Sequence, residues 1–193
     1  DLFMWHAIIM AGGTGTRFWP ASTNDTPKQL LRLVGDVTML RQTVDRLGDV
    51  VPNERRMIVT NERLVRAVRE QLPELPANAV VGEPCKRDTA PCIGLAALLV
   101  SRDDPDATMV VMPADHVIHP AEKFQAVVRQ AAEMVDETPG RIVTFGIRPT
   151  YAAETFGYIH RGEQIQRPSL VTASYLVQQF KEKPDAATAK KYI

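Results

Sequence analysis

The segment HAIIMAGGTGTRFWPASTNDTPK, His6 to Lys28, joins a short apolar run to a glycine-rich turn and then to two basic residues. The run His6–Met10 stops at Ala11-Gly12-Gly13, which predicts a short buried strand. Gly12, Gly13 and Gly15 let backbone N–H groups approach an anion with no Cβ in the way. Arg17 and Lys28 bring two cations to the same loop. A strand delivers such a loop at its C-terminal edge, where open α/β sheets bind ligands.

The rest of the chain repeats the strand–helix rhythm. Thr38–Leu47 carries Met39, Leu40, Val44 and Leu47 at helical spacing, and Glu62–Leu72 does the same with Leu64, Val65, Val68 and Leu72. Arg56–Thr60 and Thr108–Met112 read as strands, the second of a central type, and Val80-Val81 as a short third strand ending at Gly82. Ala90–Ser101 is apolar on most sides and predicts a well-buried helix, and Ala121–Val135 an amphipathic one. Arg141–Phe145 (RIVTF) reads as another strand closed by Gly146. The alternation predicts an α/β fold, Rossmann-like, with a mainly parallel sheet and helices on both faces. After Gly146 the pattern changes: Gly157–His160 and Tyr175–Lys181 read as strands that could extend the sheet in a partly antiparallel way, and Pro184-Asp185 opens a helix close to Ile193. The expectation is one domain over 1–193 whose C-terminal continuation is missing.

Composition narrows the function classes. Lys plus Arg and Asp plus Glu are 23 each among 193 residues, so no net charge draws the chain to nucleic acid or an anionic membrane. No apolar run approaches the ~20 residues of a membrane span, and the N-terminal residues show no basic-then-apolar leader. Cys85 and Cys92 are too few for a disulfide framework and wrongly spaced for a zinc knuckle, which suits reduced thiols in a cytoplasmic protein.

Three glycine-loop types compete. A Walker A loop requires Gly-Lys-Ser or Gly-Lys-Thr at its end, and Arg17 occupies that region instead. A dinucleotide fingerprint places a third glycine where Phe18 stands. A plain structural turn leaves Arg17 and Lys28 unexplained. The run G-x-G-x-R-x-x-P-x-S-x-x-x-x-P-K, Gly13 to Lys28, resembles the signature of sugar nucleotidyltransferases. Within them, Gly82-Glu83-Pro84, Arg87-Asp88-Thr89-Ala90-Pro91, Pro113-Ala114-Asp115-His116, Gly157-Tyr158-Ile159 and Phe180-Lys181-Glu182-Lys183-Pro184 resemble the mannose-1-phosphate guanylyltransferase (GDP-mannose pyrophosphorylase) family.

The resemblance implies a Mg²⁺-dependent transfer in which GTP and mannose 1-phosphate give GDP-mannose and pyrophosphate. Two anions must meet, so catalysis is mainly alignment and charge stabilisation. Arg17, Lys28 and Asp115 are the implied catalytic residues, with Asp115 also the metal ligand. Ala11, Gly12, Gly13, Thr14, Gly15, Thr16 and Arg17, with Glu83, Asp88 and Thr89, are the implied nucleotide-binding set. A carboxylate such as Glu83 or Asp88 can accept hydrogen bonds from guanine N–H groups. Asp88 equally suits a cap on the following helix. Gly157, Tyr158, Glu182 and Lys183 are the implied sugar-binding set. His116 and His119 suit packing or hydrogen bonding better than metal binding. The chain departs from the family in carrying Asp88 where Asn is usual, and Glu154-Thr155-Phe156 where an extra glycine and tyrosine are typical. The family also draws a second metal-binding Asp from sequence past residue 193. Partners are then the two substrates, without nucleic acid or membrane, and with room for a homodimer. The alternatives are the same chemistry on another sugar 1-phosphate or nucleoside triphosphate, or a non-catalytic nucleotide-binding module.

Overall fold

The computed structural model describes residues 5–13, 19–23, 27–85, 87–168 and 170–193. Two compact units divide the chain at Asp136. The first contains a four-stranded sheet built from β1 (Trp5–Met10), β2 (Arg56–Asn61), β3 (Val80–Glu83) and β4 (Thr108–Pro113). Strand order is β3-β2-β1-β4, and every pairing is parallel.

Parallel strands need crossovers, and the helices supply them. α1 (Met39–Arg46) links β1 to β2, α2 (Val65–Gln71) links β2 to β3, α3 (Thr89–Asp103) links β3 to β4, and α4 (Ala121–Asp136) follows β4. Side chains alternate across each strand. Ala7, Ile9, Ile58, Val80 and Met112 face one core with Leu40 and Val44 of α1, Val68 of α2, and Val128 and Ala132 of α4. Ile8 and Val59 face the other core with Cys92, Ala96 and Val100 of α3. Helices therefore cover both sheet faces, as the alternation predicts.

Reversal of winding sets the position of the site. The chain steps from β1 outward through β2 to β3, then returns across the sheet to place β4 on the far side of β1. The gap at the C-terminal ends of β1 and β4 is a topological switch point, where such sheets hold ligands. α3 makes the return crossing and so lies on the face opposite α1 and α2.

Local signals account for the element ends. Thr38 caps α1, its hydroxyl accepting from Arg41 N at 3.2 Å. The buried Arg56 guanidinium donates to the carbonyls of Val51 and Gly48, tying the turn after α1 to the start of β2. Burial pushes the Arg56 pKa down.

The second unit holds an antiparallel ribbon, β5 (Gly157–Ile165) with β6 (Ser174–Glu182), and a short helix α5 (Ala186–Lys190). Asp185 caps α5 by accepting from Thr188 N at 2.7 Å, which holds its carboxyl below the usual range.

Three expectations are corrected. Residues 141–149 form no strand: their unit contains only the β5–β6 ribbon among the described residues, and a strand without a ladder partner does not form. β4 is a sheet edge rather than a central strand, and most of its residues are only half-buried. α3 buries a single narrow stripe, Cys92, Ala96 and Val100, while Leu98 is 72% exposed. Among the described residues no helix is long and apolar enough to cross a membrane.

Candidate active site

A cleft of about 240 Å³ opens at the switch point. Its walls come from four places in the chain. Met10 ends β1 and Gly12 and Gly13 come after it, Lys28 and Gln29 occupy the next turn, Glu83 ends β3 with Asp88, Thr89 and Cys92 at the start of α3, and Pro113 ends β4 with Ala114 and Asp115 after it. Topology thus gathers Gly12, Gly13, Lys28, Glu83, Asp88, Thr89 and Asp115 around one space, all of them singled out from sequence. Ala11 lies directly behind, 2% exposed. Thr14, Gly15, Thr16 and Arg17 lie outside the described residues.

The first strand passes into its loop under firm control. Ala11 N donates to Val59 O at 2.7 Å, and Ala114 N donates to Met10 O at 3.0 Å, extending both neighbouring ladders past the strand ends. Gly12 and Gly13 then meet functional side chains at close range. A Cβ on Gly12 would sit 2.9 Å from Glu83 Oε2, and one on Gly13 would sit 3.5 Å from Lys28 Cε. The missing Cβ of Gly12 leaves the space in which the Glu83 carboxylate lies, while Gly13 stands in ordinary contact range of the Lys28 stem.

Lys28 begins a tight 3-10 turn, Lys28–Leu30, set up by Pro27. Its ammonium donates to Asp115 Oδ2, and both side chains are about a quarter exposed. This pair bridges the glycine loop side of the cleft to the loop after β4. Glu83, at the end of β3, is 9% exposed, and desolvation pushes its carboxyl pKa up. Cys92 faces the same cleft from α3, and burial, with the nearby Glu83 charge, pushes its thiol up to about 11. That thiol is protonated at neutral pH and is no nucleophile.

Asp88 does not cap α3. It has φ 61° and ψ −158°, and its side chain makes no cap hydrogen bond. This backbone region is nearly exclusive to glycine, so the residue carries local strain at the cleft rim. His116 and His119 are exposed, and among the described residues no group of three His, Cys, Asp or Glu side chains could hold a metal alone.

Gly157, Tyr158, Glu182 and Lys183, expected from the family resemblance to meet the sugar, cluster at one end of the ribbon in the second unit. Gly157 stands opposite Glu182 in the β5–β6 register. A Cβ on Gly157 would fall 2.4 Å from Phe180 Cζ and 2.8 Å from Glu182 Oε2. Lys183 adopts φ 44°, its N donates to Phe156 O at 3.2 Å, and its ammonium pairs with Glu182 at 3.1 Å. The Tyr158 hydroxyl donates to Ala153 O at 3.0 Å, and its ring lies 5.3 Å from that of Tyr192.

Sequence reasoning missed Gln29, Cys92, Met10 and the backbone of Pro113-Ala114 as cleft walls. Gln29 had a signal: a polar residue directly after Lys28 and before Leu30-Leu31. Cys92 had none, because it sits in a run of mostly apolar residues, 90–100, in which nothing sets it apart.

Comparison with known proteins places these features in context. Residues 6–193 match the family model for nucleotidyl transferases. The chain is 43% identical over 190 residues to the mannose-1-phosphate guanylyltransferase RfbM of Salmonella typhimurium, covering 96% of this chain and 38% of that protein. It is 41% identical over 188 residues to the xanthan biosynthesis protein XanB of Xanthomonas campestris, with the same two coverages. A crystal structure from Thermus thermophilus, described as a mannose-1-phosphate geranyltransferase, superposes with TM-score 0.85 at 31% identity, covering 99% of this chain and 53% of that one. The chain thus spans about two fifths of the length of the curated relatives it matches.

Proposed function

We propose that this chain, which belongs to the nucleotidyl transferase family, is the GTP-binding part of an enzyme that makes GDP-mannose and pyrophosphate from GTP and α-D-mannose 1-phosphate. One observation carries the reading. Gly12 and Gly13, the Lys28 ammonium and the Asp115 carboxylate converge on a single cleft at the sheet's switch point. The names of RfbM and of its other guanylyltransferase relatives support the choice of nucleotide and sugar.

The chemistry asks little of the protein beyond placement. An oxygen of the sugar phosphate attacks the α-phosphorus of GTP, a new P–O bond forms, and the bond to the pyrophosphate oxygen breaks. The attacking oxygen is already ionised, so no general base is required. Lys28, with Arg17 from the same loop, offsets the charge that two converging anions bring together. The backbone of Gly12 and Gly13 offers N–H groups that need no reorganisation. Glu83 accepts from guanine N–H donors, and Asp88 and Thr89 flank it at the rim. Glu182 accepts from sugar hydroxyls and Lys183 offsets the sugar phosphate, with Gly157 and Tyr158 shaping their surroundings.

The donor set suits Mg²⁺. Asp115 offers one carboxylate to the cleft, and a hard cation of this kind takes most of its remaining oxygens from phosphates and water. When bound, Mg²⁺ would draw electron density from phosphate oxygens. Reduced thiols, one of them buried beside the cleft, are consistent with a cytoplasmic enzyme.

The test is a panel of triphosphates and sugar 1-phosphates, assayed by pyrophosphate release, on the full-length protein. The expected result is release with GTP and mannose 1-phosphate and at most weak release with other pairs. Equal release with all pairs, or none with any, refutes the assignment.

A further inference from the structure

We infer that Thr60 and Gln29 are positioning residues for the glycine loop, two side-chain donors that lock the carbonyl of Ala11 and so fix the peptide plane from which the loop departs. The inference rests on the reading of the cleft as the nucleotide site. Thr60 Oγ1 donates to Ala11 O at 3.0 Å, and Gln29 Nε2 donates to the same oxygen. Ala11, Gln29 and Thr60 are 2%, 1% and 0% exposed, so water does not compete for these bonds. A carbonyl oxygen has two lone pairs, and two donors saturate it. The peptide is planar, so holding the Ala11 C=O also holds the Gly12 N–H.

The clamp matters because the next two residues cannot hold themselves in place. Gly12 and Gly13 have no side chains to anchor them and the widest backbone freedom of any residue. A cradle of N–H groups binds an anion well only if its ordering is completed before the ligand arrives. Ala11 N is already bonded to Val59 O, so the clamp completes the fixing of Ala11 on both sides. Gln29 also sits in the same turn as Lys28, and its bond ties that turn to the glycine loop. The amide carries a penalty, because its Oε1 is buried with no hydrogen-bond partner among the described residues. An aliphatic side chain would fill the space without that penalty but could not donate.

The test uses Thr60→Val, which keeps shape and removes the donor, Thr60→Ser, which keeps the donor, and Gln29→Leu. GTP affinity by calorimetry and the unfolding midpoint are measured on each, with steady-state turnover on the full-length protein. The expected result is roughly five- to tenfold weaker GTP binding for Thr60→Val, recovery to within about twofold for Thr60→Ser, and a KM for GTP that rises more than kcat falls. Gln29→Leu in the Thr60→Val background should cost more than the two single changes together, because each donor partly covers the other's loss. Folded Thr60→Val with unaltered GTP affinity, or Thr60→Ser as weak as Thr60→Val, overturns the clamp. Failure of the unaltered chain to bind GTP overturns the cleft assignment itself, and the clamp with it.

Discussion

Lys28→Met should tighten divalent-metal binding and weaken GTP binding at the same time. The Lys28 ammonium bonds Asp115 Oδ2 directly, so a metal ion approaching that carboxylate must displace it or lie beside it. Both side chains are 26% exposed, and an ion pair of that exposure is worth up to about 1 kcal/mol. A displaced ammonium that stays ~6 Å from a doubly charged ion opposes it by about 1.4 kcal/mol in a water-like dielectric. Salt at about 0.1 M screens part of that repulsion. Loss of the pair together with the screened repulsion, about 0.8 kcal/mol, opposes the metal by about 1–2 kcal/mol, on the order of tenfold in metal affinity. Methionine keeps the length of the side chain and removes the charge. Mn²⁺ titration followed by electron paramagnetic resonance, without nucleotide, should show binding about tenfold tighter in Lys28→Met. Asp115→Asn should abolish the same signal in either background. GTP affinity should move the other way, by roughly ten- to a hundredfold, for loss of a hydrogen bond to a charged group. Mn²⁺ affinity that is unchanged or lower in Lys28→Met would refute the idea that lysine and metal compete for one carboxylate.

Arg17→Ala should lower turnover of the full-length enzyme roughly 10²–10³-fold, the usual effect of removing an electrostatic stabiliser, as read by pyrophosphate release. Near-normal turnover would remove Arg17 from the mechanism. Glu83 has its native pKa raised above the unfolded value of 4.5 by desolvation, so the folded chain binds more protons across that interval. Stability should thus fall as pH rises from about 4.5 through the native pKa and then level off, and urea midpoints of Glu83→Gln should lack that component. Thr38→Ala removes the cap on Arg41 N and the 2.6 Å bond that Thr38 donates to Gln71, and should lower stability by about 1–2 kcal/mol in urea denaturation.

The first unit was legible because its signals are local and agree with one another. His6–Met10, Arg56–Thr60 and Thr108–Met112 are short apolar runs ended by breakers or turns, and each became a strand within a residue of the expected ends. Their alternation across the sheet then assigned Ile8 and Ile9 to opposite cores. Arg141–Phe145 is a similar apolar run and forms no strand, because a strand also needs a ladder partner, and the sequence period does not say whether one is made. The exposed side of α3 was illegible for a related reason: apolar content around a helix predicts burial only where something packs on each face. The residue type and position of Asp88 suit both a base contact and a cap, and sequence alone leaves the two open; its side chain makes no cap bond and its backbone occupies a rare conformation. Gly12, Gly13, Lys28, Glu83, Asp88, Thr89 and Asp115 were legible through their motifs, yet the Lys28–Asp115 contact was not, since the two residues are far apart in sequence and meet only once the sheet has formed.

Charge in the cleft also gives the nucleotide a direction. Two carboxylates face the same space in different surroundings. Asp115 is met by the Lys28 ammonium, while Glu83 is 9% exposed and has no ion-pair partner among the described residues. A triphosphate brought against Glu83 would add anion to an uncompensated, desolvated carboxylate. Brought against Lys28, and against a cation at Asp115, it finds opposite charge. On the proposed reading of the cleft as a GTP site, the phosphates would therefore lie at the β1–β4 side and the base at the β3 side. Glu83 there gains from a ring edge that offers N–H donors, because such bonds replace the water that burial removed. A base presenting an acceptor at that edge would leave the carboxylate facing a lone pair, so one side chain both repels the phosphates and selects the base.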